Sequence, residues 1–178
     1  MAKRISAYLH LLMAAAVLSA ATAYGAEMCR LDELTEAAAD DPRCYFYSGT
    51  SAYRANDFKF AAANWKRLIA LKLVAIEFEH LKVDAYNNLG YLYFFGNGVK
   101  RNREVAIKYW KYSLSAGNEE SAYHLCHAYG DRKEPTYNSK LALGYCKEGL
   151  RRYEALKDIN VGQDEILRQL NAYVRELE

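Results

Sequence analysis

The segment from Ala85 to Trp110 contains two apolar patterns of helical period separated by glycines, and it constrains the fold more than any other part of the chain. Its first half places Leu89 and Tyr93 at the spacing of one face of an α-helix. Gly96 follows, and glycine readily takes the left-handed conformation that ends helices. A second amphipathic pattern begins near Asn102. Because neither helix can bury its apolar face alone, the segment predicts a helical hairpin that stacks on similar neighbours.

The pattern recurs after about 36 residues, a period typical of helical-repeat arrays. The matched positions are Leu89 with Leu125, Tyr93 with Tyr129, Ala106 with Ala142, and Tyr109 with Tyr145. A looser copy spans Pro42 to Leu73, with Gly49 and Trp65 in matching roles. We therefore predict an all-α protein of about three helical hairpins followed by a capping helix. The predicted units are 42–82, 84–117 and 120–156, with the cap at 163–177.

Gly90 lies in the middle of the first helix predicted for this segment. A glycine there costs ~1 kcal/mol of helix stability relative to alanine. We interpret it as the mark of a neighbouring backbone that leaves no room for a Cβ atom. The repeat period places Cys126 at the equivalent position of the next hairpin.

The residues from Ala85 to Val99 follow the pattern A-x-x-x-L-G-x-x-Y-x-x-G-x-G-V. This pattern resembles the Sel-one-like repeat (SLR) of the tetratricopeptide-repeat superfamily, and the resemblance is specific over Ala85–Gly117. The copy at Ser121–Leu150 departs from it at the mid-helix glycine and at the turn, and the copy at Cys44–Leu71 is closer to a plain tetratricopeptide repeat. Over roughly residues 42–150 the resemblance implies a right-handed α–α solenoid with a protein-binding role and no chemistry of its own.

The N-terminal residues Met1–Gly25 have the features of a secretory signal peptide. Lys3 and Arg4 precede an apolar run at Leu9–Leu18. Ala21–Ala23 is a small-residue cleavage site, and Ala23–Gly25 is a second candidate. The run is too short to span a bilayer comfortably. We therefore predict a periplasmic or secreted protein with no membrane attachment after cleavage, the alternative being an uncleaved anchor.

Cleavage would leave a chain without net charge, because it removes two of the 24 basic residues and none of the 22 acidic ones. Neutrality argues against nucleic acid or an anionic membrane surface as a partner, since both favour strongly basic proteins. The remaining residues, 26–178, amount to one domain. We expect a monomer that carries no cofactor.

All four cysteines, Cys29, Cys44, Cys126 and Cys146, follow the predicted cleavage site. An even number of cysteines in an exported protein predicts disulfides. Three pairings are possible. We favour Cys29–Cys44, which would attach the N-terminal segment to the first repeat, and Cys126–Cys146, which would join the two helices of the last hairpin. Buried free thiols are the alternative.

Two further segments depart from the repeat pattern. The link between the first two hairpins has extra residues within Leu71–Lys82, which we interpret either as a helix extended by two turns or as an elbow near Glu79–Val83. The C-terminal segment Gln163–Leu177 is amphipathic, and we predict that it caps the array, because terminal repeats need a polar outer face. A dimerising helix is the alternative for this segment.

Glu120, His124 and His127 have the spacing of one helical face and could present three metal ligands. No H-E-x-x-H motif accompanies them, and polar residues are common on exposed faces of repeat helices, so we predict no metal site. The serines have no nucleophile-elbow context. We therefore predict no catalytic residues and no enzymatic activity.

Aromatic side chains form the better candidate site. The resemblance implies that the first helix of each hairpin faces a concave groove. The residues predicted to bind a partner there are Phe46, Tyr53, Asn87, Tyr91, Phe94, Tyr123 and His127. Tyrosines offer large, rigid contact areas and are common in binding hot spots, so we predict a protein partner.

The leading hypothesis is thus a non-catalytic periplasmic module that binds a protein in its groove. The resemblance to small exported SLR proteins suggests one specific form, an immunity-type inhibitor that covers a toxic enzyme delivered by a rival cell. The alternative is a cysteine-containing SLR hydrolase or β-lactam-binding protein acting on cell-wall-related substrates. A scaffold for an envelope complex is a third hypothesis.

Overall fold

A computed structural model describes residues 41–72, 74–156 and 161–178, and all regular structure within these ranges is helical. The predicted signal peptide and Cys29 lie outside them. The helices are α1 (Pro42–Arg54), α2 (Phe58–Ala70), α3 (Glu79–Phe95), α4 (Arg103–Ser115), α5 (Glu120–Gly130), α6 (Ser139–Glu154) and α7 (Val161–Leu177). The all-α helical-repeat fold predicted from the sequence is confirmed.

The helices form three hairpins, α1–α2, α3–α4 and α5–α6, and α7 packs on the last of them. Each odd-numbered helix also contacts the next odd-numbered one, in the pairs α1–α3, α3–α5 and α5–α7. The even-numbered helices pack mainly against their neighbours in sequence. The odd-numbered helices therefore form one layer, and we call its exposed side the inner face.

The hairpin boundaries follow the capping chemistry of the sequence. The side chains of Asp41, Asp57 and Asn102 each accept a hydrogen bond from a backbone N–H of the first helical turn, as N-caps do. Gly96 ends α3 in the left-handed conformation, with φ of 81°. The predicted start of α4 near Asn102 and the predicted end of α3 at Gly96 are confirmed.

Gly90 lies directly against the Trp110 indole of the same hairpin, not against a backbone as the sequence analysis expected. A Cβ atom at Gly90 would lie 2.6 Å from the Cδ1 atom of Trp110. The indole is buried, and its Nε1–H donates to the carbonyl oxygen of Asn87 at 3.1 Å. The first hairpin has the same arrangement, in which Gly49 faces Trp65. At both positions a glycine is required because the tryptophan side chain, and not a neighbouring backbone, occupies the space of a Cβ atom.

In the third hairpin a disulfide takes the place of this glycine–tryptophan pair. Cys126 and Cys146, both fully buried, are bonded at 2.04 Å. One repeat period separates Cys126 from Gly90 and Cys146 from Trp110, so the covalent link joins the same two helical positions that the indole fills in the preceding hairpin. Cys44 is also disulfide-bonded, and the expected partner Cys29 lies outside the described residues.

The inserted segment between the first two hairpins neither extends α2 by two turns nor forms an elbow at Glu79–Val83. α2 ends at Ala70, a short 3-10 helix covers Ile76–Phe78, and α3 begins at Glu79. α3 is therefore one and a half turns longer at its start than the repeat pattern predicts.

Local contacts explain why the helix stops where it does. The Lys82 Nζ atom donates to the carbonyl oxygen of Leu71 at 2.7 Å, which satisfies a backbone acceptor at the end of α2. Leu81 is buried in the core, and the Arg43 guanidinium lies over the Phe78 ring at 5.1 Å. Ile76, by contrast, is 90% exposed.

The C-terminal helix packs its apolar face against the last hairpin. Leu170 is fully buried beside the Cys126–Cys146 disulfide, and Tyr173 and Val174 extend the same contact. This face is therefore covered within the chain. Within the described ranges, no helix combines the length and the apolarity that a bilayer-spanning segment needs.

Candidate functional site

Four aromatic side chains from α1, α3 and α5 lie in ring contact along the inner face. The Tyr53 and Tyr91 centroids are 6.2 Å apart, Tyr91 lies 6.1 Å from His124, and His124 lies 5.5 Å from Tyr123. All four side chains are partly exposed. We call Tyr53, Tyr91, Tyr123 and His124 the aromatic row. It links the three hairpins on the side of the molecule where the sequence analysis placed a groove.

The aromatic row rests on the two tryptophans of the core. Tyr53 contacts the Trp65 ring at 5.9 Å, and His124 stacks on Trp110 at 4.9 Å with an interplanar angle of 18°. Both indoles are buried, so Tyr53 and His124 each pack one side of the ring against the core. Tyr91 and Tyr123 join the row through ring contacts with these two side chains.

Two of the residues predicted for the groove are buried, and that part of the prediction is wrong. Phe94 is 2% exposed and packs on Trp110 at 5.4 Å, whereas the adjacent Phe95 is 46% exposed and contacts Tyr91 at 4.7 Å. Consecutive residues of an α-helix are rotated by about 100° relative to each other. An error of one position in the predicted register therefore exchanges a surface residue for a core residue.

Asn87, the second of these, is 3% exposed because it connects α3 to α5. Its Nδ2 atom donates to the Glu120 Oε2 atom at 3.1 Å, and its Oδ1 atom accepts a hydrogen bond from the Ser121 hydroxyl at 2.7 Å. Buried amides are normally satisfied in this way. Phe46 is partly buried in the first hairpin and contacts Tyr47 at 5.5 Å, apart from the row.

Helix α7 covers the end of the row at α5. The Tyr123 hydroxyl donates to the Gln169 Oε1 atom at 2.6 Å, and the His127 ring contacts Tyr173 at 5.8 Å. Tyr123 therefore has a structural role as well as an exposed edge. His127 belongs to the contact between α5 and α7 rather than to the open part of the row.

Glu120 is the acidic group beside the row, and its side chain is 48% exposed. Its Oε1 atom lies 3.6 Å from the His124 Nε2 atom, and the His124 imidazole holds the pKa of Glu120 below its ordinary value. Burial raises the pKa values of Tyr53 and Tyr123, and the Glu120 carboxylate adds to both rises. Glu120 therefore carries its negative charge at neutral pH, and this charge raises the pKa values of tyrosines on two helices.

The three side chains considered as metal ligands do not converge on one point. His124 stacks on Trp110 beside Glu120, while His127 faces Tyr173. In the part of the chain that the structure describes, no group of three or more histidine, cysteine, aspartate or glutamate side chains is arranged to hold a metal ion. The same spacing on the helix instead places Glu120 and His124 in the row.

The His127 imidazole should make the contact between α5 and α7 sensitive to acid. Burial lowers the pKa of His127 below its ordinary value of 6.5. As the pH falls, the unfolded chain takes up this proton before the folded chain does, so the stability is intact above about 6.5 and declines below it. Between pH 7 and pH 5, the melting temperature of His127→Asn should fall less than that of the parent. Equal pH slopes for the two proteins would contradict this account.

Part of the chain is similar to a known repeat family. Residues 83–118 match the family model described as Sel1 repeat. No curated protein sequence matches the chain significantly. A crystal structure of a Sel1 repeat protein from Oxalobacter formigenes is similar, with a TM-score of 0.49 and 21% identity over 80% of this chain and 61% of that one. The present chain thus spans less than two thirds of that protein. Residues 83–118, which comprise most of α3 and all of α4, are therefore similar to a Sel1 repeat, and the described residues around them form a helical-repeat fold.

Proposed function

We propose that this protein is an exported, non-catalytic interaction module that binds a partner protein through the aromatic row. Sel1 repeats typically mediate protein–protein interaction, which makes this the expected class of function. The observation that carries the proposal is the row itself. Its tyrosines come from successive inner helices, and ring contacts join Tyr53 to Tyr91 directly and Tyr91 to Tyr123 through His124. All three tyrosines remain partly exposed, while Leu89 and Leu125 already fill the core beneath.

The physical properties of the row suit a protein surface. Tyrosine provides a large contact area with few rotatable bonds, so little conformational entropy is lost on binding. The contacts of Tyr53 with Trp65 and of His124 with Trp110 restrict these two side chains beforehand, which lowers that cost further. Phe95 extends the apolar area next to Tyr91. The row offers no serine or cysteine nucleophile, so the hydrolase alternative has less support.

The cellular location is part of the proposal. The signal-peptide features at residues 1–25 and the Cys126–Cys146 disulfide are both typical of proteins that mature outside the cytoplasm. We place the mature protein, residues 26–178, in the periplasm or outside the cell. Inhibition of a delivered toxic enzyme, as an immunity-type protein, is the narrower form of this function.

Tyr91→Ala tests the proposal at the centre of the row. We expect the variant to keep its helical circular dichroism and to melt within a few degrees of the parent, because Tyr91 is only partly buried. Its affinity for the partner captured from periplasmic extract should fall by ~2 kcal/mol or more, as expected for a hot-spot tyrosine. The measurement is quantitative pull-down followed by titration with the purified partner.

Tyr137→Ala is the matched control, since Tyr137 is 39% exposed in the loop before α6 and lies outside the row. This variant should bind the partner as the parent does. If Tyr91→Ala is folded and binds with unchanged affinity, the partner uses another surface and the proposal fails.

A further inference from the structure

Glu120 is a negative charge for which the described residues provide no full cationic partner. The side chain has its own supports, because the Asn87 amide donates to one carboxylate oxygen and the His124 imidazole lies against the other. Among the described residues, no lysine or arginine lies within ion-pair distance of this carboxylate. Among the ion pairs that join described residues, Glu120 takes part only in the one with His124.

The surroundings of the row are acidic as well as aromatic. Glu119 and Glu120 both act on Asp84 of α3, and Glu165 of α7 acts together with Glu120 on Tyr123. Burial, followed by these like charges, raises the pKa of Asp84, although a hydrogen bond from Asn118 and the nearby His80 oppose the rise. The basic groups near these carboxylates are His80 beside Asp84, His124 beside Glu120, and Arg168, which pairs with Glu165 at 2.6 Å. Glu119 and Glu120 have no lysine or arginine partner among the described residues, so they leave negative charge near the exposed rings.

We propose that the inner face binds a lysine or arginine side chain of the partner protein, with the cation against the rings of Tyr53, Tyr91 and Tyr123 and with Glu120 as its counter-ion. This inference rests on the proposed function and states the chemistry of the partner at the same site. A positively charged segment of the partner satisfies both the aromatic and the acidic character of the surface.

The geometry favours a cation for two reasons. Aromatic faces carry a negative quadrupole, so they attract ammonium and guanidinium groups, and the planar guanidinium also stacks on rings. In addition, a cation that approaches Glu120 displaces no lysine or arginine of this chain, because none is paired with it. The carboxylate is already oriented by Asn87, so pairing requires little rearrangement. An acidic partner would meet like charge from Glu120 and Glu119 instead.

The test uses the full mature protein with its disulfides intact and two synthetic probes. The first is the peptide acetyl-Gly-Arg-Gly-Arg-Gly-amide, and the second has glutamate in place of arginine. The chain has two tryptophans, Trp65 and Trp110, and both lie under the row, so intrinsic fluorescence reports binding there. We expect the arginine peptide to cause a saturable change that rising salt weakens, and the glutamate peptide to cause none.

Glu120→Gln removes the charge and keeps an oxygen that can accept the hydrogen bond from Asn87. It should raise the dissociation constant of the arginine peptide by at least about fivefold, because an aromatic site loses much of its attraction for a cation without the counter-ion. Glu104→Gln makes the same change of net charge on α4, away from the row, and should leave that constant unchanged. Circular dichroism checks that both variants fold.

With the peptides, any of these results would overturn the inference: no binding of the arginine peptide to the parent, equal binding of the glutamate peptide, or equal affinities of Glu120→Gln and Glu104→Gln. Binding of the natural partner by the same variants distinguishes this inference from the proposed function. If Tyr91→Ala loses the partner and Glu120→Gln binds it normally, the row is the binding surface, but the inference that it binds a cationic side chain is wrong. If neither variant loses the partner, both proposals fail.

Discussion

Gly90→Ala should destabilise the protein, although alanine is the better helix former. A Cβ atom at this position overlaps the buried Trp110 indole, which cannot move without losing its hydrogen bond to the Asn87 carbonyl. Inserting a carbon into a closely packed core costs about 1–3 kcal/mol. The helix-propensity gain of ~1 kcal/mol offsets only part of the loss of packing and hydrogen bonding. Urea denaturation would measure the net change in the free energy of unfolding.

Gly144→Ala is the control for this prediction. Gly144 is also in a helix, α6, but it is exposed, and a Cβ atom there would meet nothing within 4 Å. The same substitution should therefore stabilise the protein by up to ~1 kcal/mol. Two substitutions of identical chemistry thus have opposite expected signs. If Gly90→Ala is as stable as the parent, the indole contact does not require the glycine.

Removal of the Cys126–Cys146 disulfide should lower the stability by a similar or larger amount. The bond closes a loop with a sequence separation of 20, and the chain-entropy estimate for such a loop is ~3 kcal/mol. For a domain of this size that corresponds to a fall of roughly 10 °C in the melting temperature. The change should be made as the double variant Cys126→Ala/Cys146→Ala, because a reducing agent would also act on the disulfide of Cys44.

Thiol titration under denaturing, non-reducing conditions provides the control, and the parent should react at no cysteine of the described residues. Both sulfurs are fully buried, so part of the loss in the double variant will come from the packing that the sulfur atoms provide. A double variant that melts with the parent would mean that the third hairpin is held by α7 and the core alone.

The regular parts of the fold could be predicted because each has a local cause. Asp57 and Asn102 cap helices through their own side chains, and Gly96 ends one through its backbone conformation. The repeat of apolar positions places Leu89 and Leu125 in the core, where both are fully buried. These features depend on contacts within a few residues of the chain, or on a period that the sequence displays openly.

The inserted segment and the groove depended on contacts that the sequence does not display. No glycine or proline marks the break after Ala70, and the break is stabilised by Lys82, which reaches back to the Leu71 carbonyl. Phe94 and Phe95 are chemically alike, and only the position of Trp110 decides that the first is buried and the second exposed. The helical period of apolar residues cannot show which of two adjacent phenylalanines is buried.

For the candidate site, the sequence identified Tyr53, Tyr91 and Tyr123 but treated Glu120 and His124 only as potential metal ligands. The spacing of those two residues on α5 shows that they share a helical face. The spacing does not show that Asn87 and Trp110 of the preceding hairpin lie against them. Helical period and capping thus determined which residues form helices and which side of each helix is apolar. Tertiary structure alone decided which exposed side chains of successive hairpins meet, because those contacts depend on how one hairpin is set against the next.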